Sequence, residues 1–200
     1  TKNSQDGISM IQTAEGALNE THSIVQRMRE LAVQSSNDTN TQEDREKLQL
    51  EVNQLVEEIN RIGNTTEFNT RVLMDGTYDA GGVLFHIGAN KDQNVNLKFN
   101  DMRSGALNLQ GISIISQDDA NNAIETINNS LENVSTERAK FGAMQNRLEH
   151  TINNLRVSGE NLQAAESRIR DTDMASEMVK LNKDKIISQS GTAMLAQANT

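Results

Sequence analysis

The sequence predicts a mainly α protein. It reads as an elongated antiparallel helical bundle, a coiled-coil rod of two N-terminal helices against one long C-terminal helix, with a small antiparallel β-hairpin region. Three observations predict it. There is no proline in 200 residues, and proline is the residue that breaks helix interiors. The aromatics are four Phe and one Tyr, with no Trp. Aromatic rings supply the largest packets of buried area in a round core, so burial here must come from Leu, Ile, Val, Met and Ala in a thin seam. Finally, apolar residues recur every seven positions over long stretches, the mark of helices packed along a seam. That rhythm decides against a disordered chain, the alternative raised by 35% hydrophobic residues.

The first helix is expected over about residues 4–36. One ladder runs Ile11, Leu18, Val25, Ala32, a second Ala14, Thr21, Met28, and a third Met10, Ala17, Ile24, Leu31. Together they form a stripe wide enough to touch two partner helices. Ser35 to Thr41 (SSNDTNT) is a turn cluster. Thr41-Gln-Glu-Asp44 then resembles a capping box with acidic residues in the first turn, where the helix dipole favours them. The second helix spans about 42–62, with a seam of Leu48, Val52, Leu55, Ile59 and Ile62 and stop signals at Gly63 and Asn64.

The period changes over about 67–117, the expected β patch. Val72-Leu73-Met74 is followed by Asp75-Gly76, a hairpin turn signal. Val83 to Ile87 is a short apolar run, Val95 to Phe99 alternates as a half-buried strand does, and Ile112 to Ile115 reads as one more strand. So small a patch does not stand alone. It is expected at the far end of the rod, packed on the helices.

The third helix, about 118–169, carries the strongest signal. Ala120, Ile127, Val134, Phe141, Leu148, Leu155, Leu162 and Ile169 form one apolar +7 ladder. The companion ladder is read as Ile124, Leu131, Arg138, Gln145, Ile152, with polar members that set register. Asp118 to Ile169 would extend roughly 78 Å at about 1.5 Å per residue. Asp171-Thr-Asp173 breaks the pattern, and Met174, Met178, Leu181, Ile186, Ile187, Met194 and Leu195 restart an amphipathic helix. The chain opens on Thr1, not Met, and is expected to be a piece of a longer protein. Seams cut in mid-pattern at both ends suggest further assembly.

Composition excludes several classes of function. Lys plus Arg is 19 and Asp plus Glu is 28, a net charge of −9, so neither a nucleic acid nor an anionic membrane surface is an expected partner. Cysteine is absent, which removes disulfides, thiolate nucleophiles and Cys-based zinc sites. No apolar run approaches the ~20 residues of a membrane span, and no signal peptide is visible. His22, His86 and His150 belong to no metal-binding pattern such as HExxH. Glu57-Glu58 and Asp118-Asp119 read as solvated helix surface rather than acid–base pairs. Asp79-Ala-Gly-Gly82 lacks the Lys-Ser/Thr of a phosphate loop. No catalytic constellation, cofactor site or metal site emerges, and the chain is not expected to be an enzyme.

What remains is surface. On a helical wheel Thr21, Ile24, Val25 and Met28 are buried, while Glu20, Arg27, Leu31 and Gln34 fall on the shoulder of the stripe. An Arg and a Leu at i,i+4 there make a plausible contact pair for another protein. The competing reading is simpler: Leu31 touches the second helix and Arg27 is a solvated charge.

The same residues carry a resemblance. Residues 3–20 (NSQDGISMIQTAEGALNE) and 26–34 (QRMRELAVQ) are similar to the N-terminal conserved region of bacterial flagellins, and 66–69 (TEFN) to the element after its second helix. Residues 145–154 (QNRLEHTINN), 165–171 (AESRIRD) and 194–199 (MLAQAN) resemble the C-terminal conserved region. The likeness covers nearly all of the chain except about 78–120. It implies the family's D1 rod domain over 1–182 and, over 183–200, the start of a terminal D0 helix, with order past Asp171 left open. Most of D0 is missing, so the chain alone is not expected to polymerise well.

The resemblance further implies a structural subunit of the flagellar filament that serves motility. Its partners would be other flagellin subunits and, for the full-length protein, an export chaperone; its place would be outside the cell, reached by flagellar export. It also implies recognition by Toll-like receptor 5. The family's central contacts map onto Arg27, Leu31 and Glu51, with Gln26, Gln34 and Leu48 as neighbours; Leu55 stands where some receptor-active members carry Arg. A hook-associated or filament-junction protein is the alternative, disfavoured by the close run from Gln145 to Asp171. A zinc-protease insert, reported for some flagellins, is disfavoured by the missing HExxH and the short 78–120 segment.

Overall fold

The computed structural model describes residues 1–170 and 173–199. In chain order the elements are α1 (Lys2–Ser35), α2 (Gln42–Thr65), β1 (Glu67–Phe68), β2 (Arg71–Val72), β3 (Val83–His86), β4 (Asn94–Leu97), α3 (Gln117–Arg170) and α4 (Met174–Ala198). The fold is mainly helical with two small antiparallel strand pairs, as the sequence predicts. Two compact units divide the chain, Thr1–Leu155 and Arg156–Thr200.

In the first unit α1 buries two +7 ladders offset by three: Ser4, Ile11, Leu18, Val25, Ala32, and Gly7, Ala14, Thr21, Met28, Ser35. Small residues in the second ladder let neighbours approach closely. A Cβ on Gly7 would meet Leu148 Cδ1 of α3 at 3.2 Å and the Phe85 ring of β3 at 3.6 Å. The turn after α1 is closed by Arg45, whose Nε donates to the Ser35 carbonyl at 2.9 Å and whose Nη2 donates to that of Asn37 at 3.2 Å. The capping box at Thr41 is present: Thr41 Oγ1 accepts the Asp44 N–H and the Asp44 carboxylate accepts the Thr41 N–H. Val52, Ile59 and Ile62 of α2 are buried and Leu48 and Leu55 half-buried against the core.

The β region differs from expectation in three ways. The first hairpin pairs Glu67 with Val72 and Phe68 with Arg71, so its turn is Asn69-Thr70, both at positive φ (50° and 64°), not Asp75-Gly76. That geometry suits the right-handed twist of paired strands. Residues 112–115 form no strand. Their backbone groups are bonded by side chains of the helices instead, as described below. And the β3–β4 hairpin lies beside the start of α1, not at the far end: Asn3 Nδ2 donates to the His86 carbonyl at 2.8 Å, and Phe85 reaches Gly7. Helix lengths explain the placement. With 24 residues against 34 in α1, α2 leaves the first turns of α1 uncovered, and the hairpin covers them.

From β4 the chain runs back along the helices. Phe99, Met102, Leu107, Leu109 and Ile114 are buried, so this irregular segment supplies much of the core. The Gln49 side chain donates from Nε2 to the Ile112 carbonyl at 3.0 Å and accepts the Ile114 N–H at 2.7 Å, while Ser35 Oγ donates to the Ile114 carbonyl. Asp101 and Arg103 pair at 2.7 Å, and Asn60 Oδ1 accepts the Ser104 N–H and hydroxyl at 3.0 and 2.8 Å. Backbone groups buried outside a ladder need such partners.

Helix α3 starts with Asp118 and Asp119 in its first turn, and the Asp119 N–H donates to Ser116 Oγ at 3.1 Å. Ala120, Ile127, Val134, Phe141 and Leu148 are buried as the ladder predicts. The companion ladder is corrected. It runs Ala123, Ser130, Glu137, offset by three instead of four, while Ile124 and Leu131 are half-buried. The irregular segment packs on this face and its polar backbone calls for polar partners. Ser130 Oγ donates to the Leu107 carbonyl at 2.7 Å. Glu137, 2% exposed, accepts the Asn100 N–H at 3.4 Å, the Asn100 side-chain amide at 3.0 Å and the Lys140 ammonium at 3.0 Å. Phe141 packs on Phe99 with ring centroids 5.3 Å apart.

Burial along the ladder stops after Leu148. Leu162 and Ile169 are exposed, which corrects the expectation of a seam through Ile169: periodicity marks a face, but burial needs an apposed surface. In the second unit the described residues are helical. Asp173 caps α4 by accepting the N–H groups of Ala175 and Ser176 at 3.0 and 3.3 Å; Asp171 and Thr172, also read as a break, lie outside the described residues. Helix α4 buries no residue and runs from Met174 as the sequence predicts; Thr200 lies outside the described residues. No described helix is long and apolar enough to cross a membrane.

Candidate interaction surface on α1 and α2

Seven-residue periodicity fixes which side chains leave the seam. With Val25, Met28 and Ala32 inward, Arg27 must point outward, and with Val52 inward Glu51 does too. The antiparallel turn brings these two together. Arg27 Nε donates to Glu51 Oε1 at 2.8 Å, and Arg27 Nη1 donates to Glu30 Oε2 at 3.0 Å. The guanidinium thus bridges two carboxylates, one on each helix. The hydrogen bond to Glu51, then that to Glu30, pushes the Arg27 pKa up from its ordinary value. The pair is open to solvent, with side chains 49% and 43% exposed. An exposed pair of this kind adds little to stability.

The other expected site residues divide. Gln26 is exposed and its Nε2 lies 3.0 Å from His22 Nε2. Gln34 is exposed, and Leu48 is half-buried against the core. Leu31 is fully buried and belongs to the core, so its placement on the shoulder is corrected. It ends the ladder of Met10, Ala17 and Ile24 and is packed in the core. Sequence reasoning passed over Glu30, although a position three residues from Arg27 on one helix was a legible signal. It also passed over Val33 and Leu50, large apolar side chains that the fold leaves exposed.

Nothing among the described residues gathers three or more His, Asp or Glu side chains into a metal-binding group. The histidines lie apart: His22 beside Gln26, His86 with Nδ1 2.8 Å from Asn94 Oδ1, and His150 exposed. What the α1–α2 face offers is charge-assisted hydrogen bonding on a rigid helical support.

The comparisons with known proteins match this architecture. The profile described as the bacterial flagellin N-terminal helical region matches residues 1–79, and that described as the C-terminal helical region matches residues 124–200. A flagellin of Halalkalibacterium halodurans is 54% identical over 201 residues, covering all of this chain and 73% of that protein. A flagellar filament core protein of Brachyspira hyodysenteriae is 49% identical over 212 residues, covering all of this chain and 74% of that protein. The crystal structure of Bacillus cereus flagellin superposes with a TM-score of 0.69 at 30% identity, covering 82% of this chain and 94% of that one. Helical end regions joined by a short β-bearing middle define a flagellin-type bundle. The chain belongs to the bacterial flagellin family.

Proposed function

We propose that the chain is a structural subunit of the bacterial flagellar filament, serving motility by packing against copies of itself outside the cell. The observation that carries this is the 49% identity, across the whole chain, to a protein named as a flagellar filament core protein. Large apolar side chains exposed along α4, among them Met174, Val179, Ile186 and Leu195, support it, since exposed apolar surface is stabilised by assembly. In this reading residues 1–155 carry most of the D1 rod domain, α4 leads into D0, and the full-length protein reaches the outside by flagellar export with a chaperone. The test is to express this chain between the terminal segments of the Halalkalibacterium relative in a host lacking flagellin. Filaments seen by electron microscopy are the expected result; their absence with normal secretion of the protein would overturn the reading.

The α1–α2 face is the surface proposed for Toll-like receptor 5. Its support is the exposed Arg27–Glu51 bridge, at two of the positions the family resemblance selects. Gln26 and Gln34 flank it, while Leu31 and Leu48 act through the packing that holds both helices in place. Arg27→Glu and Glu51→Arg are each expected to lower receptor-reporter signalling at least about tenfold while circular dichroism stays unchanged. Full signalling by both variants would remove the assignment.

A further inference from the structure

A groove of about 400 Å³ opens between β4 and α3, lined by Asn96, Leu97, Lys98, Lys140, Phe141, Ala143, Met144 and Arg147. Its floor is apolar, from Leu97, Phe141 and Met144. Its rim is cationic, in a chain of net charge −9. Lys140 is committed to Glu137, but Lys98 and Arg147 have no carboxylate partner among the described residues.

The complementary surface is on α2. Leu50 is 66% exposed, an apolar knob on an otherwise polar helix face. Glu43, Glu46 and Glu57 share that face by helical spacing, at seven and four residues before Leu50 and seven after it. Glu43 is paired with Lys47 at 2.9 Å. Among the described residues Glu46 and Glu57 bond to the neutral amides of Gln42 and Gln54, at 3.4 and 3.5 Å, and to no cation. Two uncommitted cations rim an apolar groove, and two uncommitted carboxylates flank an apolar knob.

We propose that the groove takes the Leu50 stripe of a second copy of this chain. Leu50 enters between Leu97, Phe141 and Met144, with Glu46 and Glu57 facing Lys98 and Arg147. Groove and stripe are different surfaces of one chain, so the contact is heterologous, the kind that builds an open array when its rotation does not close into a ring. Apolar burial supplies the attraction, and the opposed charges supply register and partner choice. This deepens the filament reading and rests on it.

The absence of cysteine allows a clean test on the chain as it stands. Leu50→Cys chains are mixed with Ala143→Cys chains at about millimolar concentration and oxidised with copper–phenanthroline. Mixed disulfide dimers are expected in at least fivefold excess over either homodimer. The double change Lys98→Glu with Arg147→Glu in the Ala143→Cys chain should abolish the excess. Adding Glu46→Lys with Glu57→Lys to the Leu50→Cys chain should restore it, which loss of folding could not do. A statistical mixture of dimers, or an excess untouched by charge reversal, overturns the proposal. So does uptake of dodecanoate by the groove without mixed dimers, which would make it an amphiphile site. If mixed dimers fail while filaments still form in the host experiment above, this contact falls and the filament reading stands.

Discussion

The side-chain oxygen of Gln49 accepts the backbone N–H of Ile114 at 2.7 Å, and the same amide donates to the carbonyl of Ile112. One residue of α2 thus stands in for the strand that residues 112–115 do not have. In Gln49→Leu both backbone groups lose their partner in a buried setting, which costs about 1–3 kcal/mol per group. A loss of roughly 2–4 kcal/mol in urea unfolding is expected, with α1 and α2 helicity retained. A change below about 0.5 kcal/mol, the range of ordinary surface substitutions, would show that the clasp is dispensable.

Glu137 plays the matching part on α3. Glu137→Leu leaves the Asn100 N–H and side-chain amide without an acceptor and should destabilise by about 1–3 kcal/mol. Glu137→Gln keeps an acceptor and should cost less. Thermal melts of the two variants check the order, and equal losses would mean that shape, not hydrogen bonding, matters there.

Phe141→Ala removes a ring that is buried and packed on Phe99. A loss of about 3–5 kcal/mol is expected. Leu31→Ala, a core change and not a surface one, should cost about 2–5 kcal/mol. A melting curve for Leu31→Ala superposing on the parent would return that residue to the surface.

Acid should weaken the fold. The Arg103 guanidinium bonded to Asp101 holds its carboxyl below the ordinary value, and Arg61 does the same for Glu58. A carboxyl with a lowered folded-state pKa contributes stability above its unfolded value, and that contribution is lost as pH falls through the folded one. Stability should therefore drop below about pH 4. Asp101→Asn should flatten the drop in pH-dependent denaturation; an unchanged slope would show that the Asp101–Arg103 pair does not contribute to it.

Gln49 and Glu137 lie where the fold is least visible in the sequence, whereas Phe141 lies where it is plainest. The ladders on α1 and the first turns of α3 were legible because a repeat of seven leaves only one face to bury. The cap at Thr41 was legible because its chemistry is local. The path of residues 98–116 was not, since it depends on side chains 37 to 79 positions away: Glu137 for Asn100, Gln49 and Ser35 for Ile114. Expecting Ile124 and Leu131 to form the second seam followed hydrophobicity, whereas the fold chose Ser130 and Glu137 to serve a backbone no wheel displays. At the candidate surface, spacing placed Arg27 and Glu51 outward but could not rank Leu31, which sits at the stripe's margin and is decided by how closely α2 approaches.

A ladder of similar apolar residues has a weakness: slipped by one heptad, it matches itself almost as well. The buried carboxylate of α3 removes that ambiguity. A seven-residue slip would carry Glu137, with its α3 partner Lys140, away from Asn100 and leave the Asn100 N–H and side-chain amide without their acceptor. The chain thereby reads its own vernier, and a single acid selects one alignment out of several that grease alone would leave degenerate.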